Sequence, residues 1–549
     1  MIAKIYSIVP AGFSGALVEV EGDKNHGLPA LNIVGMADKT VSEARDRVRS
    51  AIVNSGFSFP IDKITINLAP ADLHKDGTYL DLPIALSVLL LSGQLTPNDV
   101  KSRIFVGELS LEGTLRPIRG IINIVETAKE LGFKEIFLPT DNIPQASLVQ
   151  GISLIGINSL SELLLILKHQ VTPAPPKITK CVETKQTKYS LDEIKGQAIA
   201  KRALSIAIAG HHNILISGPP GAGKTLLAKT AANLLPDLNP DEQVTLTKLY
   251  SLISDHPKII TRHPFRSPHH SASAVSILGG GSPIIPGEIS LAHLGILFLD
   301  ELPEYPRYIL ESLRQPLEDK TITITRSSSR TTFPADFMLI ATMNPCPCGF
   351  YGDPSHPCSC KAAEIKRYQQ KLSGPLLDRI DLQISVPKVP IDSLTLSSGK
   401  TAKTGLKTPK TTKNNPGNTL SKGLKTNQIS EHEIVKNKII AATERQHLRY
   451  QNSCLYNSSL SSAAAIKYLK ISPSAENLLR SAAKNLNLSA RSFYKTFKVA
   501  GTIADFEGSA EILPEHISEA LSYRLSQTLS SLVIQGKPHT SVQKAQKNP

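Results

Sequence analysis

The sequence predicts a multidomain α/β protein, with an α+β domain at the N-terminus, a doubly wound parallel-sheet core and a helical lid at the C-terminus. Three observations predict this fold class. The chain has 549 residues, which is too many for one hydrophobic core. An apolar strand, a glycine-rich loop and a helical pattern follow one another around residue 218. Helical periodicity then dominates residues 431–536.

Composition limits the class of protein and its partners. The net charge of +14 favours a polyanionic partner. Six cysteines in so long a chain do not form a disulfide scaffold, which favours a reducing cytoplasm. The longest apolar run, residues 82–91, is too short to span a bilayer, and the N-terminus has no signal-peptide pattern. We therefore expect a soluble, cytoplasmic protein that does not enter a membrane.

Residues 1–168 are predicted to form an independent domain. Residues 17–21 and 63–68 alternate between apolar and polar side chains, as strands with one buried face do, and helical patterns fall between them. Two later segments, 75–79 and 107–122, resemble the nucleophile and lysine motifs of Lon-type peptidases. The resemblance implies a Lon/S5-like fold of the ChlI type.

The Lon-type catalytic pair is replaced in this chain. The position of the nucleophilic serine holds Tyr79, and the position of the catalytic lysine holds Ile122. A Ser–Lys dyad needs a serine hydroxyl beside a lysine amine. The domain is therefore predicted to be inactive, which argues against an ATP-dependent protease.

The central motif of the core has the pattern GxxxxGK[ST]. Because it lies between a strand and a helix, its backbone N–H groups and the helix N-terminus are expected to surround phosphate oxygens. Lys224 is predicted to reach the β and γ phosphates of ATP, and Thr225 to bind Mg²⁺. The predicted nucleotide-binding residues are Gly218, Pro219, Pro220, Gly221, Ala222, Gly223, Lys224 and Thr225.

A second apolar strand, residues 295–299, ends in two carboxylates. Asp300 is predicted to bind Mg²⁺, and Glu301 to activate the attacking water. A glycine loop alone also occurs as a simple tight turn, but this strand-borne pair favours ATP hydrolysis.

The segment between these motifs is rich in histidine, glycine and proline. The histidines of residues 263–270 are either metal ligands or part of a mobile loop. They lack the i, i+4 spacing of a helical metal site, which favours the loop.

Another core strand is predicted at residues 338–343, and Asn344 at its end is placed to hold the lytic water or sense the γ phosphate. Several motifs around it identify a family. Residues 190–390 closely resemble the magnesium-chelatase-like AAA+ ATPases, and the whole chain resembles their ComM/YifB branch. The matching motifs are Pro-Phe-Arg-Ser-Pro-His-His, Pro-Gly-Glu-Ile-Ser-Leu-Ala-His, Leu-Arg-Gln-Pro-Leu-Glu, Asn-Pro-Cys-Pro-Cys-Gly and Ser-Gly-Pro-Leu-Leu-Asp-Arg-Ile-Asp.

The resemblance implies an assembly as well as a fold. Arg379 matches the arginine finger that enters a neighbouring subunit's nucleotide site, and Arg491 matches the second sensor on the lid. A guanidinium at either place neutralises charge on the transferring phosphoryl group. A finger supplied by a neighbour implies a nucleotide-dependent ring, with a homohexamer expected.

A β-hairpin with a basic tip is predicted by alternation at 321–325 and 331–333. It resembles the pore elements of helicase-type AAA+ rings. Arg326 and Arg330 are therefore candidate nucleic-acid contacts, or else ordinary surface charge.

Four cysteines follow Asn344 closely. Soft thiolates grouped in this way suit a tetrahedral zinc site, although Cys-x-Cys is tighter than the usual Cys-x2-Cys spacing. A zinc site and a loop of free thiols both remain open. The residues are Cys346, Cys348, Cys358 and Cys360.

The remaining segments complete the predicted domain organisation. Residues 169–189 form a proline-rich linker before the core, and 431–536 form the helical lid, followed by a loose tail at 537–549. Residues 391–430 contain seven lysines and no hydrophobic period, which predicts a disordered insert. The insert is either a solvated loop or a weak phosphate-backbone contact.

Two functions follow from this organisation. The resemblance implies a ring-forming DNA helicase or branch-migration motor that acts on single-stranded or branched DNA in natural transformation and recombination. The alternative is a chelatase-type remodelling ATPase that acts on a protein partner. The sequence leaves open the preferred DNA structure, the polarity of movement, the ring stoichiometry and the role of the N-terminal domain.

Overall fold

The structure is a computed structural model. It describes residues 2–35, 39–71, 77–173, 189–254, 258–281, 284–325, 330–353, 355–388 and 430–534. The predicted Lys-rich insert, apart from its last residue, and most of the predicted linker lie outside these ranges, so both stay predictions.

The chain divides into two compact units that interleave along the sequence. The first consists of residues 1–186, 237–299 and 305–338, and the second of residues 187–236, 300–304 and 339–549. Residues 237–299 and 305–338, which the sequence analysis assigns to the ATPase core, therefore group with the N-terminal residues.

The strands, in chain order, are β1 (Ile2–Ala11), β2 (Ser14–Asn25), β3 (Ala30–Val34), β4 (Lys63–Ala69), β5 (Arg103–Phe105), β6 (Glu108–Leu109), β7 (Leu115–Arg116), β8 (Glu135–Pro139), β9 (Ser153–Ile157), β10 (Ile214–Ser217), β11 (Phe265–Arg266), β12 (Gly279–Gly280), β13 (Ile285–Pro286), β14 (Ile296–Leu299), β15 (Thr321–Thr325), β16 (Arg330–Pro334), β17 (Met338–Met343) and β18 (Leu382–Ser385).

The α-helices are α1 (Lys39–Asn54), α2 (Asp81–Leu91), α3 (Pro97–Val100), α4 (Ile121–Glu130), α5 (Ile143–Ala146), α6 (Leu160–Leu167), α7 (Ala198–Gly210), α8 (Lys224–Leu234), α9 (Pro240–Ser251), α10 (Ala274–Leu278), α11 (Glu288–Leu291), α12 (Arg307–Ser312), α13 (Arg314–Asp319), α14 (Ala362–Gln369), α15 (Gly374–Leu377), α16 (Glu431–Tyr450), α17 (Ser462–Tyr468), α18 (Pro473–Asn485), α19 (Ala490–Glu507) and α20 (Pro514–Ile534). None of the helices in the described part of the chain has both the length and the apolar character needed to cross a bilayer.

The first unit is built on a mixed seven-stranded sheet with the order β3-β4-β2-β1-β5-β8-β9. The β1–β2 and β2–β4 pairs are antiparallel and the other pairs are parallel. The strands predicted at 17–21 and 63–68 lie within β2 and β4, as expected from their alternation. The apolar run at 82–91 belongs to α2, which is buried along its whole length, so it is a core helix.

Helix α9 joins the segment 237–299 to the N-terminal residues. Lys248 on α9 forms an ion pair with Glu126 on α4, and its amine lies 4.5 Å from the ring centre of Phe13. The Gly120 N–H also donates to the Ser251 carbonyl at 2.9 Å. These contacts hold α9 against the N-terminal part of the same unit.

The first two family motifs meet beside β14 of the first unit. Arg266 on β11 donates two hydrogen bonds to Glu288, at 2.6 and 2.5 Å. The neighbouring Phe265 stacks on Phe298 with 5.8 Å between ring centres. The charged residues of these two motifs therefore pair with each other, which gives both a structural role.

The predicted hairpin is present as the antiparallel pair β15–β16, with Thr321 opposite Pro334 and Thr325 opposite Arg330. Arg330 is exposed, but it is the first residue of β16, paired with Thr325, and does not lie in the turn as predicted. Arg326 lies outside the described residues.

The second unit contains a parallel sheet with β10 between β17 and β18. The loop 218–225 connects β10 to α8, so the predicted strand, loop and helix are confirmed. Every residue of β17 is buried. Parallel strands with buried faces direct their carboxyl ends to one edge, which is where such sheets hold ligands.

Buried polar groups anchor helices α16 and α19 of the second unit. The Asn457 amide donates to Thr502 and Asp505 on α19, both at 2.9 Å. The Gln446 amide on α16 donates to the Ala209 carbonyl on α7 at 2.8 Å. Because buried polar groups are costly unless paired, these bonds specify one arrangement of the helices.

Candidate functional site

The loop between β10 and α8 has the backbone of an anion-binding turn. Gly221 and Gly223 have φ angles of +75° and +79°, in the left-handed region that other residues avoid. Helix α8 begins at Lys224, and no side chain caps its N-terminus. The first N–H groups of a helix carry partial positive charge and need acceptors. The loop therefore fits a phosphate group.

The Lys224 side chain folds back onto the start of this loop. Its ammonium group donates to the carbonyls of Gly218 and Pro219 at 2.7 and 3.0 Å, and to Oδ1 of Asn344 at 3.1 Å. Burial lowers the pKa of Lys224, while the negative charge of Asp300 opposes this shift. The structure thus brings Lys224 close to Asn344 and Asp300, which the sequence analysis placed in separate motifs.

Thr225 and Asp300 are in direct contact. The Thr225 hydroxyl donates to Oδ2 of Asp300 at 3.0 Å. A hydroxyl and a carboxylate are the oxygen ligands that Mg²⁺ takes in proteins that bind nucleoside triphosphates. These residues fit a magnesium ion, and they meet at the end of the phosphate loop where it would face the phosphates.

Thr342 is a site residue that the sequence analysis missed. Its hydroxyl donates to Oδ1 of Asp300 and accepts a hydrogen bond from the Glu301 N–H at 3.1 Å. It therefore fixes the orientation of both carboxylate residues. A polar residue in the buried strand β17, two positions before Asn344 and so on the same face, was the available signal.

Glu301 combines exposure with an unusual backbone. Its φ angle is +52°, which is uncommon for a residue other than glycine, and its side chain is exposed. Such strain persists only where surrounding contacts impose it, as the bond from Thr342 does here. Glu301 is therefore an exposed residue directly after Asp300, held at its backbone by Thr342.

The two predicted arginines lie elsewhere in the second unit. Arg379 lies in the loop between α15 and β18, where its guanidinium donates to the Pro375 carbonyl at 2.6 Å. Its own carbonyl accepts from the Asn213 amide at 3.2 Å, which anchors the loop at the start of β10. Arg491 is an exposed residue in the first turn of α19.

The four cysteines converge after Asn344. Their sulfur atoms all lie within 4.8 Å of one another. Among the described residues, no other three or more histidine, cysteine or carboxylate side chains come together in a way that could hold a metal ion. Of the histidines at 263–270, His269 stacks against His270 with 4.1 Å between ring centres. The sulfur cluster is thus the candidate metal site.

Family models match most of the chain. The model described as magnesium chelatase, subunit ChlI, matches residues 190–394, and the one described as subunit ChlI of Mg-chelatase matches residues 20–142. The model for the C-terminal part of the same subunit matches residues 430–524.

Full-length relatives decide the family. An Escherichia coli protein, uncharacterized protein YifB, is 39% identical over 95% of this chain and 96% of its own length. Competence protein ComM of Haemophilus influenzae is 38% identical over 97% of this chain and 100% of its own length. The chain belongs to the ComM/YifB family of magnesium-chelatase-like proteins.

This ComM/YifB chain is also similar to an archaeal Lon protease from Methanocaldococcus jannaschii, at 23% identity over 30% of this chain and 27% of that protein. Tyr79 packs against the two hydrophobic clusters of the first unit. Ile122 is wholly buried in one of them. Both positions therefore serve packing.

One further residue of the ComM/YifB chain contacts the phosphate loop. Gln197, with a φ angle of +54°, donates its side-chain amide to the Ala222 carbonyl. The sequence pattern Gly-Gln upstream of the loop gave a weak signal for nucleotide contact. In the structure this side chain supports the loop itself.

Proposed function

We propose that this protein hydrolyses ATP between the subunits of a ring and uses the energy to move DNA. The observation that carries the proposal is the contact between Thr225 and Asp300, 3.0 Å from Oγ1 to Oδ2. It joins the phosphate loop to the acidic strand, and both are needed for phosphoryl transfer. When ATP and Mg²⁺ are bound here, the bond to the γ phosphate of ATP is the one that breaks.

Each residue around this contact has a separate role. Thr225 and Asp300 hold the metal, and Lys224 neutralises charge on the phosphate oxygens. Glu301 orients the attacking water and takes its proton. Asn344, which already contacts Lys224, holds the water or senses the γ phosphate. Thr342 keeps the Asp300 carboxylate and the Glu301 backbone in position.

A ring is required by the roles of the two arginines. Arg379 stabilises the charge that develops on the phosphoryl group in the neighbouring subunit's site, as an arginine finger does. Arg491, on the lid, acts as the second sensor of the bound nucleotide. We propose a homohexamer that assembles when nucleotide binds, because a finger from outside makes a lone subunit incomplete.

DNA as the polymer is supported by charge and by a relative. The net charge of +14 suits a phosphate backbone. Arg330 is exposed and pairs with Thr325 at the end of the hairpin where the chain passes from β15 to β16. A relative of this chain over its full length is named competence protein ComM, which favours a role in competence. We place the activity on single-stranded or branched DNA in transformation and recombination.

A remodelling ATPase is the second candidate. It is favoured by the family models, all of which carry the name of a magnesium chelatase subunit. In that case hydrolysis would act on a protein partner, and DNA would leave the rate unchanged.

The deciding experiment measures ATP hydrolysis without DNA, with single-stranded DNA and with forked DNA. The motor predicts stimulation at about 50 mM salt that fades at about 200 mM, because phosphate contacts release counterions. Lys224→Ala is the control for contaminating ATPases. A rate that is the same with and without DNA at both salt concentrations would reject the motor in favour of remodelling. Strand separation on a forked substrate then tests helicase action directly.

A further inference from the structure

The loop after Asn344 folds back so that its four cysteines face one point. Cys346 is buried and the other three are half-buried. The Sγ atom of Cys346 lies 3.3 Å from that of Cys348 and 3.7 Å from that of Cys358. Cys348 and Cys358 are separated by 3.5 Å between sulfur atoms. Residues from both ends of the loop therefore share one small volume.

These separations fit a single metal ion better than disulfides. Zinc binds thiolates at about 2.3 Å, and a tetrahedron with that radius separates its sulfur atoms by about 3.8 Å. A disulfide needs about 2.05 Å between its two sulfur atoms, which is much shorter than these separations. A single disulfide would also leave the other two cysteines of the cluster without a partner. The 3.3 to 3.7 Å spacings are those of ligands around a common centre.

The backbone of the loop also favours thiolates. The Cys348 N–H donates to the sulfur of Cys360 at 3.4 Å, and the Tyr351 N–H donates to the sulfur of Cys346 at 3.3 Å. Donors of this kind stabilise the negative charge of metal-bound sulfur and orient the ligands. Two of the four sulfur atoms therefore already have an outer partner.

We propose that the four cysteines bind one zinc ion as a structural site. An all-sulfur tetrahedron selects zinc or iron. In an iron–sulfur cluster the thiolates are divided among different iron atoms, so their sulfur atoms lie farther apart than these do. A single iron ion would have the same geometry as zinc, and the metal analysis below distinguishes the two. A closed site with four protein ligands leaves no position for a substrate, so the ion serves structure and not catalysis.

The ion would fix the loop that supports the nucleotide site. Cys346 is only two residues after Asn344, whose side chain accepts the hydrogen bond from Lys224. On the other side, Gly349 lies against Pro220 of the phosphate loop, where a Cβ would come within 2.6 Å of the proline ring. Zinc thereby holds the cysteine loop next to Asn344 and against the phosphate loop.

Metal content gives the first test, and it needs neither ATP nor DNA. Protein purified in reductant without chelator is expected to contain about one zinc per chain by elemental analysis. Cys358→Ser is expected to lose it. The matched control is Cys454→Ser, because Cys454 is an exposed free cysteine outside the cluster. Zinc at background level in the parent, iron in its place, or full zinc in Cys358→Ser overturns the proposal.

A second test uses the parent chain, so it does not depend on the folding of a variant. Cobalt replaces zinc during expression, and four thiolate ligands give it the intense visible bands of a tetrahedral site. Spectra of octahedral cobalt would contradict the proposal. Because the proposed supporting role depends on the proposed ATP site, affinity for a nonhydrolysable ATP analogue is measured separately. Cys358→Ser is expected to bind it at least tenfold more weakly than Cys454→Ser, and equal affinity would remove the supporting role while leaving the metal site intact.

Discussion

Asp381 and Lys495 form a buried ion pair, with 2.7 Å between Oδ1 and Nζ. Asp381 lies two residues after Arg379, and Lys495 lies about one helical turn after Arg491 on α19. The loop of the proposed finger and the helix of the proposed second sensor are therefore attached to each other. Burial opposes ionisation of Asp381, but the charge of Lys495 holds the pKa of that carboxyl well below its usual range.

Asp381→Asn is expected to destabilise the second unit. Lys495 would remain buried without its counter-charge, and breaking such a pair costs about 3–5 kcal/mol. The unfolding temperature should fall clearly, and ATP turnover should fall with it. Arg480→Ala, which removes an exposed ion pair on α18, is the control and should leave the unfolding temperature unchanged. Equal temperatures for the two variants would show that the buried pair does not hold the loop to the helix.

Thr342→Val is expected to slow hydrolysis without unfolding the protein. Valine has nearly the same shape but removes the hydroxyl that binds Asp300 and Glu301. Leaving such groups unpaired costs about 1–3 kcal/mol, which corresponds to roughly 5–160-fold in kcat. Thr342→Ser keeps the hydroxyl and should recover most of the rate. If both variants are equally slow, the effect comes from packing in β17 and not from the hydrogen bonds.

Glu301→Gln is expected to bind ATP and fail to hydrolyse it. The amide cannot take a proton from water, so kcat should fall by about 10²–10⁴-fold while nucleotide affinity stays close to the parental value. Glu304→Gln is the matched control, because Glu304 belongs to the same short segment but pairs with Lys371. Turnover of Glu301→Gln at the parental rate would show that another group activates the water.

Mixing two inactive variants tests whether Arg379 acts on a neighbour. Lys224→Ala loses its own nucleotide site but keeps the finger, whereas Arg379→Ala keeps the site and loses the finger. In a mixed ring some interfaces join an intact site to an intact finger, so activity should reappear on mixing. The rate is measured against the mixing ratio, with each variant alone as the control. No recovery in rings shown to be mixed would place Arg379 outside the neighbouring site.

His293 predicts an acid-dependent loss of stability in the first unit. Its Nδ1 accepts the Asp336 N–H at 3.0 Å, and burial lowers its pKa from 6.5 to about 4. The unfolded chain takes up a proton below about pH 6.5 and the folded chain does not, so stability falls as pH drops towards about 4. The loss reaches about 3 kcal/mol. Urea midpoints between pH 7 and pH 4 should fall less in His293→Asn, whose carbonyl keeps the hydrogen bond without titrating; parallel curves would contradict the prediction.

Motifs carried by consecutive residues could be predicted well. The loop 218–225 lies between a strand and a helix because its glycines, its lysine and the apolar runs beside it are adjacent in the chain. The same holds for the hairpin β15–β16, whose alternation is local. The sequence pattern placed Arg330 in the turn, whereas it pairs with Thr325 in the structure. The residue at which two strands stop pairing depends on the energy of strand pairing, about which the alternation of side chains gives no information.

Contacts between distant segments could not be predicted in this way. Nothing in the neighbourhood of Thr342 indicates that its hydroxyl meets Asp300, because that depends on how two strands are placed. The spacing of the cysteines counted against a shared site, whereas the fold of the loop brings their sulfur atoms within 4.8 Å of one another.

The sequence by itself determined the family of this protein and its local elements, including the glycine-rich loop between β10 and α8 and the Asp-Glu pair that follows β14. Local propensity and short spacings suffice for these, because the residues act on neighbours in the chain. Only the tertiary structure decided that residues 237–299 and 305–338 pack with the N-terminal residues, and that Asp381 pairs with Lys495. Such partners are chosen by burial and by the need to satisfy charge inside a packed interior, and those forces exist only once the chain has folded.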